Sequence, residues 1–225
     1  MSTKLKLYKF RGIASAEDKT SVGRIDQIIN TGQLYGAKFS EMNDPMEGAF
    51  QYWATSNSNK NLAKISENII GEKTRYGIVS LTSNWSNLLM WSYYASGMHG
   101  ICIEIEIPTE EGFAIPISYS HVVEDLNRSQ NLSADQMAEQ LLLRKAHVWS
   151  HEQEYRILVK DKNLVDVSIS GVLLGERFDR ESFAKLNSGH DLVDLCNQRR
   201  IPVYNTSVDW SHQTVLVHKT EISRK

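Results

Sequence analysis

The apolar pattern predicts one α+β domain spanning 1–225, with a β-sheet core and flanking helices. Three observations lead there. Runs of period two alternate with runs of period 3.6 along the chain. No break in composition, repeat or low-complexity tract divides the 225 residues, a length near the upper end of what one core organises. Hydrophobic residues make up 41% and charged residues 23%, which is enough to bury a core and unlike a disordered chain.

Leu5 to Arg11 alternates as a strand, with Leu5, Leu7, Lys9 and Arg11 on one side and Tyr8 and Phe10 on the other. Val22, Ile25, Ile28 and Ile29 then recur at helical spacing, and Gly32 is the expected stop. Leu34 to Phe39 reads as a short strand, and Asn43-Asp44-Pro45 as a tight turn, since Asn and Asp bond locally and Pro fixes φ. Leu62, Ile65, Ile69 and Ile70 predict a helix within 57–73. Tyr76 to Leu81 reads as a buried strand, Asn87 to Ala95 as a short aromatic helix, and Ile101 to Ile107 as a strand. Ser133, three residues before Gln136, opens a helix over 133–147 in the manner of a capping box. Strands follow at Tyr155 to Val159 and Val165 to Leu174, then one or two helices over 179–199, then strands at Ile201 to Tyr204 and Val215 to His218.

Charge and composition narrow the function classes. A net charge of -2 argues against a broadly basic face that grips nucleic acid by phosphate contacts alone, and leaves room for a local patch. Cys102 and Cys196 stand apart from any metal or redox spacing and read as reduced core thiols. The first residues lack a secretory pattern and no apolar run reaches spanning length, so a cytoplasmic protein without membrane contact is expected. No Gly-rich phosphate loop is present, which sets aside the commonest dinucleotide folds. His147 and His151 have i, i+4 spacing, but two ligands do not make a site, and no metal is expected.

The strongest local feature is Glu152-Gln153-Glu154-Tyr155-Arg156, where two carboxylates one residue apart enter a strand and project to the same side. By itself it is also the pattern of a surface ion-pair ladder between Glu154 and Arg156. Arg11 at the end of the first strand and Ser80-Leu81-Thr82-Ser83 at the end of a central one complete an ordered set. An arginine, a hydroxyl-rich strand end and a Glu-x-Glu, in that order, are similar to the signature of ADP-ribosyltransferases of the arginine-serine-glutamate type.

A second resemblance covers most of the chain. Leu7-Tyr8-Lys9-Phe10-Arg11, Asn43-Asp44-Pro45-Met46-Glu47, Met90-Trp91-Ser92-Tyr93-Tyr94-Ala95, His99-Gly100-Ile101-Cys102 and Glu152-Gln153-Glu154-Tyr155-Arg156 resemble, in order, the motifs of a bacterial family of domains of unknown function. Tyr93 departs from the histidine more common there, so a proton-transfer role passes to Tyr93 or His99 or is lost. That family in turn resembles, at greater distance, DarT-like ADP-ribosyltransferase toxins. The resemblance implies an ADP-ribosyltransferase-like split, bent sheet with NAD held as substrate in an extended groove.

Breaking the nicotinamide glycosidic bond develops positive charge on the ribose, and a nearby carboxylate gains attraction as it appears. The resemblance implies that role for Glu154, through a ribose hydroxyl, with Glu152 orienting or deprotonating the acceptor. Arg11 suits the pyrophosphate or the adenine-side ribose. Ser80, Thr82 and Ser83 would bond the nicotinamide ribose or hold Glu154 in place, and Trp91 and Tyr94, three apart on one helix face, would stack on nicotinamide or an acceptor base, with Trp91 mainly structural. The implied function is transfer of ADP-ribose to a macromolecule, RNA or DNA before protein, by a toxin or antiviral defence effector that an antitoxin would neutralise. Two other classes stay open: a non-catalytic binding or regulatory domain whose carboxylates form only an ion-pair network, and a nuclease in which Glu47, Glu152 and Glu154 share a metal.

Overall fold

The computed structural model describes residues 4–15, 17–51, 59–107, 113–125 and 132–218, with side chains of 59–62 left aside. It is a mixed α+β structure. In chain order the elements are β1 (Leu5–Arg11), α1 (Lys19–Thr31), β2 (Gln33–Tyr35), β3 (Phe50–Gln51), α2 (Asn59–Arg75), β4 (Tyr76–Thr82), α3 (Leu88–Tyr94) and β5 (Ile101–Ile107). There follow β6 (Ile115–Pro116), β7 (Ser118–Ser120), β8 (Glu124–Asp125), α4 (Ala134–Leu142), β9 (Arg144–Ala146), β10 (Glu154–Lys160) and β11 (Leu164–Asp166). The last are β12 (Ser168–Leu174), α5 (Arg180–Leu186), α6 (Leu192–Gln198), β13 (Val203–Asp209) and β14 (Thr214–His218). Among the described residues no helix is long and apolar enough to cross a membrane.

The chain packs as two compact units that interleave in sequence: the first holds 1–34, 81–110 and 166–225, the second 35–80 and 111–165. In the first, β1 runs antiparallel to β5 from Leu5↔Ile107 to Arg11↔Ile101. β5 is antiparallel to β12, with a register shift between Ile169 and Gly171. β12 is parallel to β13, the connection being the helical crossover α5-α6, and β13 turns back into β14. Residues directly opposite one another share a sheet face. On one face Tyr8, Phe10, Cys102 and Leu173 pack against Met90, Trp91 and Ala95 of the α3 segment, Phe10 meeting Trp91 edge-on at 5.1 Å. The other face presents Leu7, Ile101, Ile103, Ile105 and Val172, each fully buried.

Helix α1 starts where Asp18 accepts a hydrogen bond from the Ser21 amide at 3.0 Å, which satisfies one of its orphan donors. It stops at Gly32, whose φ of 66° lets its amide reach the Ile28 carbonyl, as the sequence suggested. Its buried side is Val22, Ile25, Ile28 and Ile29, and it packs on α5 and α6.

In the second unit α2 packs on α4. Ile69, Met137 and Leu141 form one apolar cluster there, and Tyr76, Ile78, Ala138 and Leu142 another. Ser133 and Gln136 close the expected capping box at the start of α4. β10 pairs with β6, β7 with β9, and β3 with β8.

Several expected boundaries move. The helix placed over 133–147 ends at Leu142, because Arg144–Ala146 pairs instead with Ser118–Ser120. His147–Glu152 is a 3-10 helix, so His147 and His151 lose the common face that an α-helix would give them. His147 stacks on His121 at 4.1 Å. The strand read over Leu34 to Phe39 is cut to Gln33–Tyr35 followed by a 3-10 turn at Phe39–Glu41. The single strand read over Val165 to Leu174 is two, β11 and β12.

Candidate functional site

The second unit gathers a buried chain of alternating charges: Glu47, Arg156, Glu154, Lys145 and Glu152. Arg156 is fully buried. It donates to both oxygens of Glu47, at 2.5 and 2.8 Å, to Glu154 Oε1 at 2.7 Å and to the Leu142 carbonyl at 2.5 Å. Lys145 Nζ donates to Glu154 Oε2 at 3.1 Å and to Glu152 Oε2, and lies 5.0 Å from the Trp149 ring centre. Glu152 is 3% exposed and Glu154 4%.

Local structure explains the convergence. The turn after Asn43 brings Glu47 inward, its amide bonding the Asp44 carbonyl at 3.0 Å. Glu152 ends the 3-10 helix and Glu154 begins β10, with Gln153 between them at a φ of 45°. The two glutamates therefore meet at Lys145 across a left-handed corner, and not by the strand alternation expected of Glu-x-Glu. The Glu154 amide donates to the Tyr119 hydroxyl at 2.8 Å.

Burial alone would push the Glu154 carboxyl up. The charges of Arg156 and Lys145, the hydrogen bonds from Arg156 and the neighbouring Ser80 hydroxyl more than offset it and hold the group at about 2. Burial lowers the affinity of Arg156 for its proton, and Glu154 and Glu47 reverse that, so it is held above the usual arginine range. Burial also lifts Tyr119 to about 12, even though its oxygen accepts the Glu154 amide. A carboxylate at about 2 is a weak base, and it stays anionic at any working pH. Its remaining chemical use is as a fixed negative charge and hydrogen-bond acceptor.

The structure thus brings Ser80, Glu152 and Glu154 together. The Glu154–Arg156 pair is a real ion pair, but a buried one and not a surface ladder. Glu47, Glu152 and Glu154 do not surround a common centre: Arg156 stands between Glu47 and Glu154, and Lys145 between Glu154 and Glu152. No group of three metal-binding side chains is arranged for an ion among the described residues, so the nuclease reading has no donor set here.

The remaining candidates lie in the first unit. Tyr8 stands directly opposite Thr82, so Thr82 belongs to the face that α3 covers. Arg11 has the opposite parity, opposite Ile101, and leaves β1 on the other face. Arg11 and Thr82 are therefore not side by side. Thr82 is buried and accepts the Asn84 amide at 3.0 Å, while Ser83 is exposed in the bend that follows. Trp91 is a core residue. It is fully buried against Phe10, and its indole N–H donates to the Trp85 carbonyl at 2.7 Å, which leaves no ring face for a ligand. Tyr94 is half-buried at the edge of the same cluster.

Sequence reasoning missed Lys145 and Arg24. Lys145 was legible in principle, since two carboxylates buried side by side demand a cation. Arg24 matters through Arg11, whose proton affinity is lowered by burial first and by the Arg24 charge second.

No protein-family model, curated protein or solved structure matches this chain.

Proposed function

We propose that this chain is an NAD-dependent ADP-ribosyltransferase acting on a macromolecular acceptor, nucleic acid before protein, as a toxin or defence effector. The observation that carries the reading is the proximity of Ser80 to Glu154, the hydroxyl and the second glutamate that the arginine-serine-glutamate order pairs. In this reading Ser80 positions the carboxylate. Glu154, anionic at every working pH, stabilises the ribose cation that forms as nicotinamide leaves. Glu152 orients the acceptor once Lys145 yields one of its two carboxylates. The relation to the bacterial family and to DarT-like toxins belongs to the same proposal.

A second reading has its own observation. Both glutamates are tied to cations and almost wholly buried, which suits a non-catalytic binding or regulatory domain whose charge network is a structural fastener. The two readings differ in whether Glu154 ever meets a ligand.

The deciding experiment incubates the protein with NAD labelled in its adenylate part, together with RNA, DNA and protein acceptors, and measures nicotinamide release in parallel. Glu154→Gln, which keeps the side chain's shape, is the comparison, with its fold checked by circular dichroism. Label on one acceptor class with the wild type, lost in a folded Glu154→Gln, is the expected result. Folded wild type that neither labels an acceptor nor releases nicotinamide would leave the binding domain as the reading.

A further inference from the structure

The partner of His147 is His121, not His151. The 3-10 helix takes His151 off the shared face, and its Nδ1 lies 3.2 Å from the Val148 carbonyl of the same helix. β7 and β9 run parallel with Ser118↔Arg144, Tyr119↔Lys145 and Ser120↔Ala146 in register, so His121 and His147 are the next pair, at the point where both strands end. Their rings stack with centres 4.1 Å apart and planes inclined at 39°. Both residues are exposed, within reach of an ion from solvent.

The backbone holds the pair in place. The Ser120 hydroxyl accepts the Val122 amide at 3.2 Å and donates to the Val122 carbonyl at 2.9 Å, which ties the chain on both sides of His121. On the other strand His147 opens the 3-10 helix directly after β9. Imidazole is the commonest side-chain ligand of transition metals, and two of them fixed side by side form a chelate that the i, i+4 pair does not.

The ring spacing selects among metals. A nitrogen bound at about 2.0–2.1 Å sets its ring centre roughly 3.2 Å from the ion. Two rings on one ion then have centres about 4.5 Å apart at a right angle and about 5.2 Å apart at the tetrahedral angle. The 4.1 Å found here is nearer the first. We propose that His121 and His147 chelate one copper(II) or nickel(II) ion, each through one ring nitrogen, at adjacent corners of a square-planar or tetragonal shell. Among the described residues no third His, Cys, Asp or Glu joins them, and Glu124 is held by Arg144, so water fills the other corners. The ion fastens the ends of β7 and β9 where the helix leading to Glu152 begins. The inference stands apart from the transferase reading, because it requires nothing of Glu154.

The test is calorimetric titration of the full chain, free of any affinity tag, with nickel(II) chloride, joined to electron paramagnetic resonance of the chain loaded with copper(II). Wild type is expected to take up one nickel ion, and its copper spectrum to carry the splitting of two nitrogens. His121→Phe and His147→Phe keep a ring in the stack and remove the donor. Each should weaken nickel binding at least about tenfold, because a single imidazole loses the chelate. His151→Gln and His212→Gln should bind like wild type. Nickel at about a hundredfold excess over its Kd should raise the wild-type unfolding midpoint by roughly 5–10 °C. Wild type that takes up no nickel, uptake unchanged in both folded phenylalanine variants, or a copper spectrum with a single nitrogen would overturn the proposal.

Discussion

Replacing Arg156 by methionine removes the centre of the buried charge chain while roughly keeping its volume. The guanidinium holds both oxygens of Glu47, whose side chain is 2% exposed, and Glu154, at 4%. Without it Glu47 loses its only ion-pair partner among the described residues, and Glu154 keeps Lys145 alone. Stranding buried carboxylates this way costs about 3–5 kcal/mol, far more than a surface pair contributes. For a chain of this size that is a fall in the unfolding midpoint of roughly 6–20 °C. Urea denaturation followed by far-ultraviolet circular dichroism measures the loss. The charge argument makes a second, sharper demand: adding Glu47→Gln and Glu154→Gln to Arg156→Met should recover a substantial part of the deficit, since the uncompensated charges are then gone. A loss under about 1 kcal/mol for the single variant, or a triple variant less stable than wild type by the sum of the three single losses, would refute the reasoning.

Two further outcomes follow from named groups. Glu154 falls from an ordinary 4.5 to about 2 on folding, so its contribution, about 3 kcal/mol, is present above pH 4.5 and is lost as the pH falls towards 2. Stability measured by urea across that window should decline more steeply in wild type than in Glu154→Gln, and equal slopes would remove Glu154 as the source. Gly100→Ala would set a Cβ 2.1 Å from the Arg11 carbonyl oxygen and 2.8 Å from the Gly12 Cα, both backbone, so the strands must part. A loss of at least about 3 kcal/mol is expected, and less than about 1 would show that the crossing yields easily.

Much of this structure was readable from local physics. The alternation through β1 placed Arg11 opposite in parity to Tyr8 and Phe10, and the caps at Gly32 and Ser133 fall where their chemistry requires. What failed was decided by distant partners. Arg144 to Ala146 continues a helical pattern, yet becomes a strand because β7 offers it a ladder, which no window of local sequence contains. Glu152 and Glu154 were read as neighbours on one strand face. A single left-handed residue, Gln153, replaces that alternation, and non-glycine residues give little sequence warning of such a backbone. The grouping of Arg11 with Thr82 failed for a different reason: motif order says which residues occur, while strand register says which side of the sheet they occupy.

The interleaved chain path has a practical meaning for anyone who would dissect this protein. The polypeptide passes from one compact unit to the other at positions 34–35, 80–81, 110–111 and 165–166. No single cut separates the two, and a fragment stopping at 110 would lack β12, the neighbour that β5 needs on its second edge. The unit that holds Arg11 is assembled from three stretches of sequence, so its sheet is completed only when the C-terminal third of the chain has arrived. Truncation libraries should therefore give all-or-none solubility, and a split-protein reporter would find its workable break sites in the connecting loops and not at the edge of either unit.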